Sequence, residues 1–287
     1  MVGEIVSLSG RTAIIAGEGR LPIEVAQTLV KQGKNPFIIP IRGEADKTLY
    51  QYDHCEISIV QLSRLINALK KAQVKNVILA GGVQSRPNFS DLRFDWATIS
   101  ALPSVFNSLR KGDDALLRAF IGILEKYGFR VVGAHEIVPE ILAPLNIRLT
   151  KAKANKIELE NIKIASHAAR IIGELDVGQG AVAVGGRIVA LEGAEGTDNM
   201  LKRISEMRIE KRIPLKGGVL VKCVKPNQES RADLPTIGPS TIENAKKSGL
   251  SGIAVEADSC FILELDKTVR LADEYGMFIE TFKDKVK

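Results

Sequence analysis

Residues 12 to 133 alternate short apolar runs with amphipathic stretches, and that alternation is the pattern of a parallel sheet whose strands are joined by crossover helices. Thr12 to Ala16, Pro36 to Ile41, Asn76 to Ala80 and Arg130 to Gly133 are read as the strands. Between them, Leu62, Leu65, Ile66 and Leu69 recur at the spacing of one helical face, which would pack on that sheet.

Residues 134 to 156 break the pattern. Pro139, Pro144 and the lysine-rich stretch TKAKANK suit an interdomain connection. Beyond it, Ile157 to Leu175 reads as a helix, and AVAVGGRIVALE (181 to 192) as two strands turning at Gly185-Gly186. Further strands are expected at 218–224, 252–256, 261–265 and 277–281, with helices near 197–207, 240–248 and 267–275. At 287 residues the chain exceeds the usual size of one domain. The expected fold is α/β in two domains with a ligand cleft between them. Residues 1–133 form an N-terminal Rossmann-like domain with a parallel sheet, 134–156 the connection, and 157–287 a C-terminal α/β domain with a mixed sheet.

The 40 basic and 34 acidic residues give a net charge of +6, spread along the chain without a long basic block, which favours an anionic ligand. No helix-turn-helix, zinc-finger or aromatic RNA-reading pattern is present, so no nucleic-acid partner is expected. Cys55, Cys223 and Cys260 are far apart and form no CxxC pair, as for reduced, buried cysteines of a cytoplasmic protein. No apolar run approaches the roughly 20 residues that span a bilayer, and no signal-peptide pattern opens the chain. His54, His135 and His167 lack zinc-ligand spacing, so zinc is not expected.

The first strand runs into AGEGRLP (16 to 22), where Gly17 and Gly19 form a G-x-G, Leu21 follows and Pro22 starts a helix. Glycines there let backbone N–H groups approach an anion at a helix N-terminus. The third glycine of a dinucleotide fingerprint is replaced by Pro22, and the acidic residue expected about 20 positions later is missing from FIIPIRG, so NAD is not expected. Two readings remain: a tight strand-to-helix turn, or a site for the sugar, phosphate or acyl part of a ligand. Gly81 and Gly82, ending another strand, would lie on the same carboxyl edge of the sheet.

KGDDALLRA (111 to 119) places Lys111, Gly112, Asp113 and Asp114 at a helix start, with Arg118 one turn on. It reads either as a capped surface helix with an Asp114–Arg118 pair or as a phosphate- and sugar-binding corner. LEGAEGTDNM (191 to 200) holds Glu192, Glu195 and Asp198 beside Gly193, Gly196 and Thr197. Thr197 is a helix N-cap in one reading, and the loop binds Mg²⁺ or sugar hydroxyls in the other. KPNQESRADLPTIG (225 to 238) is the densest cluster: Lys225, Arg231 and Asp233 follow a strand, and Thr236 and Gly238 lead into a helix. Two cations there would neutralise a diphosphate, with Asp233 binding Mg²⁺ or acting on a water. A polar surface connection is the alternative.

Taken in order, AGEGRLP, AGGV, KGDDALLRA, GAEGTD and KPNQESRADLPTIG resemble the LpxI-type UDP-2,3-diacylglucosamine pyrophosphatases of Gram-negative lipid A biosynthesis, over nearly the whole chain. The resemblance implies Mg²⁺-dependent hydrolysis of UDP-2,3-diacylglucosamine to UMP and 2,3-diacylglucosamine 1-phosphate (lipid X). It also implies water attack at the sugar-side phosphorus, and lipid held between two domains that open and close. By motif the family's essential aspartate falls on Asp233. Asp233, Asp114, Glu195 and Asp198 form the first set of metal ligands to consider. The implied setting is cytoplasmic, with transient contact at the inner-membrane surface, and a homodimer is the base-rate assembly. A nucleotide-sugar transferase or a noncatalytic lipid or nucleotide carrier would use the same loops.

Overall fold

A computed structural model describes residues 8–58, 61–83, 113–145, 147–226 and 228–283, with the backbone alone for Asp113. The chain divides into two compact units. One comprises the described residues up to Glu140 together with Glu229–Asp233; the other comprises Ile141–Gln228 and the described residues from Leu234 onward. The return of Glu229–Asp233 to the first unit is absent from the contiguous 157–287 reading.

The first unit is built on four parallel strands, β1 (Arg11–Ala16), β2 (Phe37–Pro40), β3 (Val74–Ala80) and β4 (Arg130–Val131), in the order β2-β1-β3-β4. Ile14, Ile38 and Ile78 are fully buried, while Ile15, Ile39, Val77 and Leu79 enter a cluster with Leu65, Ile66, Leu69, Ile121 and Leu124. Successive strand side chains point to opposite faces, so both faces are buried, as expected where crossover helices flank a parallel sheet. The helix Leu62–Lys71 carries the predicted stripe, with Leu65, Ile66 and Leu69 buried. Strand β4 stops at Val131, two residues before the expected end; Gly133 then leads into a short helix, Ala134–Ile137.

The second unit has a five-stranded mixed sheet of β5 (Gly180–Val184), β6 (Arg187–Leu191), β7 (Val219–Lys222), β9 (Gly252–Glu256) and β11 (Phe278–Phe282). Its order is β11-β9-β7-β5-β6; β7, β9 and β11 run parallel, and β5 is antiparallel to both neighbours. The β5–β6 hairpin turns at Gly185-Gly186, with φ of +59° and +80°, the left-handed values that a two-residue hairpin turn of this type needs.

The helix Lys156–Glu174 covers one face of this sheet, against Ala181, Ala183, Val219, Val221 and Phe278. Asn155 caps it by accepting the Glu158 N–H at 3.0 Å. Buried Glu158 accepts from Asn161 Nδ2 (2.8 Å) and from the Gly218 N–H (3.2 Å), and Asn161 Oδ1 accepts from the Gly186 N–H (2.9 Å). The helix is thereby tied to the hairpin turn. The helices Gly196–Ile209, Pro239–Lys247 and Leu265–Glu274 carry buried side chains that join Val182, Leu220, Ile253 and Val255 in the core on the other face.

Two local expectations need correction. The strand expected at 261–265 is β10 (Phe261–Ile262) alone, because Glu264 adopts φ +46° and caps the helix beginning at Leu265. Its partner is an unexpected two-residue strand, β8 (Thr236–Ile237), paired in parallel as a separate sheet.

Candidate functional site

In the first unit, β1 and β3 lie side by side, and the chain leaves them toward opposite sides of the sheet, to β2 and to β4. Their carboxyl ends therefore form a topological switch point, the usual ligand crevice of an open α/β sheet. The two glycine loops meet there. Gly17 N–H donates to Ala80 O (2.9 Å), Glu18 N–H to Gly82 O (2.8 Å) and Gly82 N–H to Glu18 O (3.2 Å). A Cβ on Gly17 would overlap the Gly82 carbonyl oxygen, and one on Gly81, at φ +87°, would overlap Glu18 O. Gly19 needs its freedom for φ +92° alone, since a Cβ there would meet open space. The glycines at 17 and 81 thus serve close backbone approach, whereas a Cβ on Gly82 would make only ordinary contact with the Glu18 side chain; the Gly17 and Gly82 N–H groups are bound to carbonyls. Leu21 and Pro22 open the helix Leu21–Lys31 on this edge.

His135 follows β4 on the same edge. Its ring packs on the Gly133 Cα, its Nδ1 is buried with no hydrogen-bond partner among the described residues, and burial pushes its pKa below the ordinary histidine value. Metal spacing gave no reason to single it out; its place after a strand end was the available signal.

The helix Asp113–Lys126 and the segment Glu229–Asp233 also belong to this unit. Asp114 Oδ2 accepts from Arg118 Nε (2.7 Å), and its Oδ1 accepts from the Glu229 N–H (2.8 Å). Arg231 donates to Glu229 through Nε (2.9 Å) and Nη2 (3.0 Å), and to Glu125 through Nη1 (2.7 Å). The Arg231 bond, then its charge and that of Arg118, hold the Glu229 carboxyl below its usual range, and the two glutamates push the Arg231 pKa up. Ala232 packs against the sheet-and-helix core, and exposed Asp233 ends a single turn in which its N–H donates to Glu229 O (3.2 Å). Both guanidinium groups expected to meet phosphate, those of Arg118 and Arg231, therefore have carboxylate partners. Lys111 and Gly112 lie outside the described residues; Asp113 starts the helix.

The remaining residues lie in the second unit. Lys225 Nζ pairs with Asp176 Oδ1 at 2.7 Å. Thr197 is not the N-cap of its helix; Glu195 holds that position, and the Thr197 hydroxyl is used elsewhere. It donates to Glu192 Oε1 (2.6 Å) and accepts from Lys222 Nζ (2.8 Å). Lys222 also approaches Glu192 Oε1 at 3.9 Å and donates to Thr236 O at 3.4 Å, with side-chain exposures of 6% for the lysine and 8% for the glutamate. Glu192 Oε2 has no partner among the described residues. Lys222 was missed because it was counted as part of an apolar strand.

Gly193 O accepts the Gly196 N–H (3.1 Å) in the turn before the helix, and Gly238 N–H donates to Thr241 Oγ1 (3.2 Å) at the next helix start. Glu195 pairs with Arg203, and its own backbone N–H first, then Arg203, lowers its pKa. Asp198 accepts from Asn244 Nδ2 at 2.9 Å. An open groove of 630 Å³ in this unit is lined by Ile172, Val177 and Leu191 and by the charged Glu192, Lys202 and Arg203, among others.

The four carboxylates considered for a metal are split, Asp114 and Asp233 in one unit and Glu195 and Asp198 in the other. Among the described residues no three histidine, cysteine or acidic side chains converge. No described helix is long and apolar enough to cross a membrane. Cys223 and Cys260 are buried and Cys55 is half-buried.

Comparison with known proteins likewise divides the chain close to residue 141, while keeping residues 229–233 with the C-terminal part. The LpxI N-terminal domain matches residues 11–141, and the LpxI C-terminal domain matches residues 146–280. A curated protein of Caulobacter vibrioides, "UDP-2,3-diacylglucosamine pyrophosphatase LpxI", is 39% identical over 271 residues, covering 94% of this chain and 96% of that protein. With both domains matched in sequence order and a relative aligned almost end to end, the chain belongs to the LpxI family.

Proposed function

We propose that this protein hydrolyses the diphosphate bond of UDP-2,3-diacylglucosamine, the substrate in the name of its Caulobacter relative, giving UMP and 2,3-diacylglucosamine 1-phosphate. Water supplies the oxygen that forms the new P–O bond, the bond from the bridging oxygen to the sugar-side phosphorus breaks, and the leaving UMP takes the bridging oxygen. The observation that carries the reading is the gathering of three motifs in one unit: the switch-point glycines, the Asp114 helix and, from more than a hundred residues further along, the Asp233 segment.

Within that unit the roles follow from chemistry. The N-terminus of the helix Leu21–Lys31 brings partial positive charge to the edge where an anion would sit. Asp233, exposed at the end of its turn, is the carboxylate that orients the attacking water and accepts its proton. Mg²⁺ would be held by Asp233 together with diphosphate oxygens and waters, since that ion commonly uses one or two carboxylates plus substrate phosphates. When bound, it supplies charge neutralisation and polarisation of the water. The diacylated substrate resides in a bilayer, so the reading includes transient contact with the cytoplasmic face of the inner membrane. Symmetric assemblies favour a homodimer.

The test is turnover of purified protein with UDP-2,3-diacylglucosamine and Mg²⁺ in ¹⁸O-labelled water. The label is expected in the sugar 1-phosphate. An unlabelled product would indicate a transferase, and tight binding without turnover a carrier. Asp233→Ala should leave the fold and KM in place and lower kcat by about 10²- to 10⁴-fold. Near-normal hydrolysis by that variant refutes the assignment of Asp233.

A further inference from the structure

Asp233 lies in the stretch matched by the C-terminal family domain, yet its structural body is the first unit. The fastening is specific. The helix Asp113–Lys126 offers two carboxylates to the returning segment, Asp114 to the Glu229 N–H and Glu125 to the Arg231 guanidinium. Glu229 grips the same guanidinium through both carboxylate oxygens, and Arg231 N–H also reaches Glu229 Oε1 at 3.3 Å. Ala232, between Arg231 and Asp233, anchors the turn in the core. Side-chain exposures of 20% for Asp114 and 17% for Glu229 mark the inner part of the chain of charges, and 45% for Glu125 its outer end. Ion pairs this open to water contribute little stability one by one. Their geometry nevertheless sets where the next residue but one stands, and a displacement of about 1 Å at a reacting group costs on the order of 10²-fold in rate.

We infer that Asp114, Arg231 and Glu125 are positioning residues for the reaction: they hold the segment Glu229–Asp233 on the helix Asp113–Lys126, so that the N-terminal unit carries the carboxylate that acts on water. This rests on the reading of Asp233 given above. It gives Arg231 a carboxylate-bound, positioning role, where a diphosphate contact was expected, and it gives Asp114 a backbone to hold, where a metal was expected.

The experiment combines Asp114→Ala and Arg231→Ala, each alone and with Asp233→Ala, with Arg231→Lys as the conservative variant. Steady-state rates, thermal midpoints and amide exchange of residues 229–233 are measured on the full chain. Each alanine variant should lower kcat about 10- to 100-fold with KM within twofold. Exchange at the Ala232 and Asp233 amides should quicken, and Arg231→Lys should recover part of kcat. On the Asp233→Ala background, neither should lower the residual rate further, because both act through that carboxylate. Should Asp114→Ala not fold, Arg231→Ala carries the test, and Asp114→Asn, whose amide oxygen can still accept the Glu229 N–H, should keep kcat near that of wild type.

The inference is overturned if Asp233→Ala is inactive while Asp114→Ala and Arg231→Ala keep kcat within twofold. It is equally overturned if KM rises at constant kcat, or if their losses add in full to that of Asp233→Ala. An active Asp233→Ala would remove the underlying reading and this inference with it, an outcome separable from the others by that single arm.

Discussion

The carboxyl edges of the two sheets are built from different materials. In the first unit, the loops after β1 and β3 interlock through backbone hydrogen bonds, and Gly17 and Gly81 let carbonyl and amide groups come together where a Cβ would overlap the facing backbone. In the second unit, β7 ends in Lys222, whose buried ammonium is held by the Thr197 hydroxyl, the Thr236 carbonyl and, at 3.9 Å, the Glu192 carboxylate. Cys260 is buried on the same side, its thiol pushed up to about 12 by desolvation, so it stays neutral. A backbone-built edge is damaged by adding atoms. An edge built on a buried charge pair is damaged by removing one partner, because the other is left without compensation.

The largest expected effect is therefore at Lys222. Lys222→Met leaves the Glu192 carboxylate buried and unpaired and should cost roughly 3–5 kcal/mol, read as a lower denaturant midpoint. Adding Glu192→Gln removes the stranded charge and should restore much of the loss, since replacing a whole buried pair is often near neutral. A single-variant loss below about 1 kcal/mol would place this pair with ordinary surface bridges and end the contrast. The first edge should respond in the opposite sense, to added methyl groups. Gly17→Ala forces the two loops apart and should cost roughly 1–3 kcal/mol, as overpacking does. Gly81→Ala combines that overlap with a left-handed φ and should cost more, whereas Gly19→Ala, with open space, should show only the backbone term of about 1–2 kcal/mol. Equal losses at all three positions would mean that close approach contributes nothing.

The same contrast explains what could be read in the sequence. Strand positions in the first sheet, the Leu62–Lys71 helix and the Gly185-Gly186 turn follow from periodicity and local backbone preference, and the structure places them where the pattern does. Thr236–Ile237 was hidden because a two-residue strand has no period and its partner, Phe261–Ile262, is remote in sequence. Glu264 ended the next strand early through a left-handed conformation that no propensity assigns to glutamate. The fastening of Glu229–Asp233 depends on carboxylates more than a hundred residues away; the charges of Arg231 and Asp114 were visible, but not what they would meet. Lys222 did carry a signal. A lysine inside the apolar run VLVKCV must find a buried partner, and Glu192, closing another strand, was the acid to pair with it.

The smallest effect concerns the half-buried His135 on the backbone-built edge. Burial lowers the His135 pKa, against a weaker opposite pull from Glu136, so the folded chain resists a proton that the unfolded chain accepts near the ordinary value of 6.5. The unfolded state then binds more protons, and stability falls as pH drops from about 6.5 toward the folded pKa, levelling off below it. The slope from one such group cannot exceed about 1.4 kcal/mol per pH unit. Denaturant midpoints of wild type and His135→Gln, measured from pH 7.5 down to pH 5, isolate it, because exposed His54 and His167 remain in both proteins. The variant should lose less stability than wild type across that window. Parallel curves would mean that the His135 ring takes up its proton in place, and that this edge accommodates a charge as readily as the second one does.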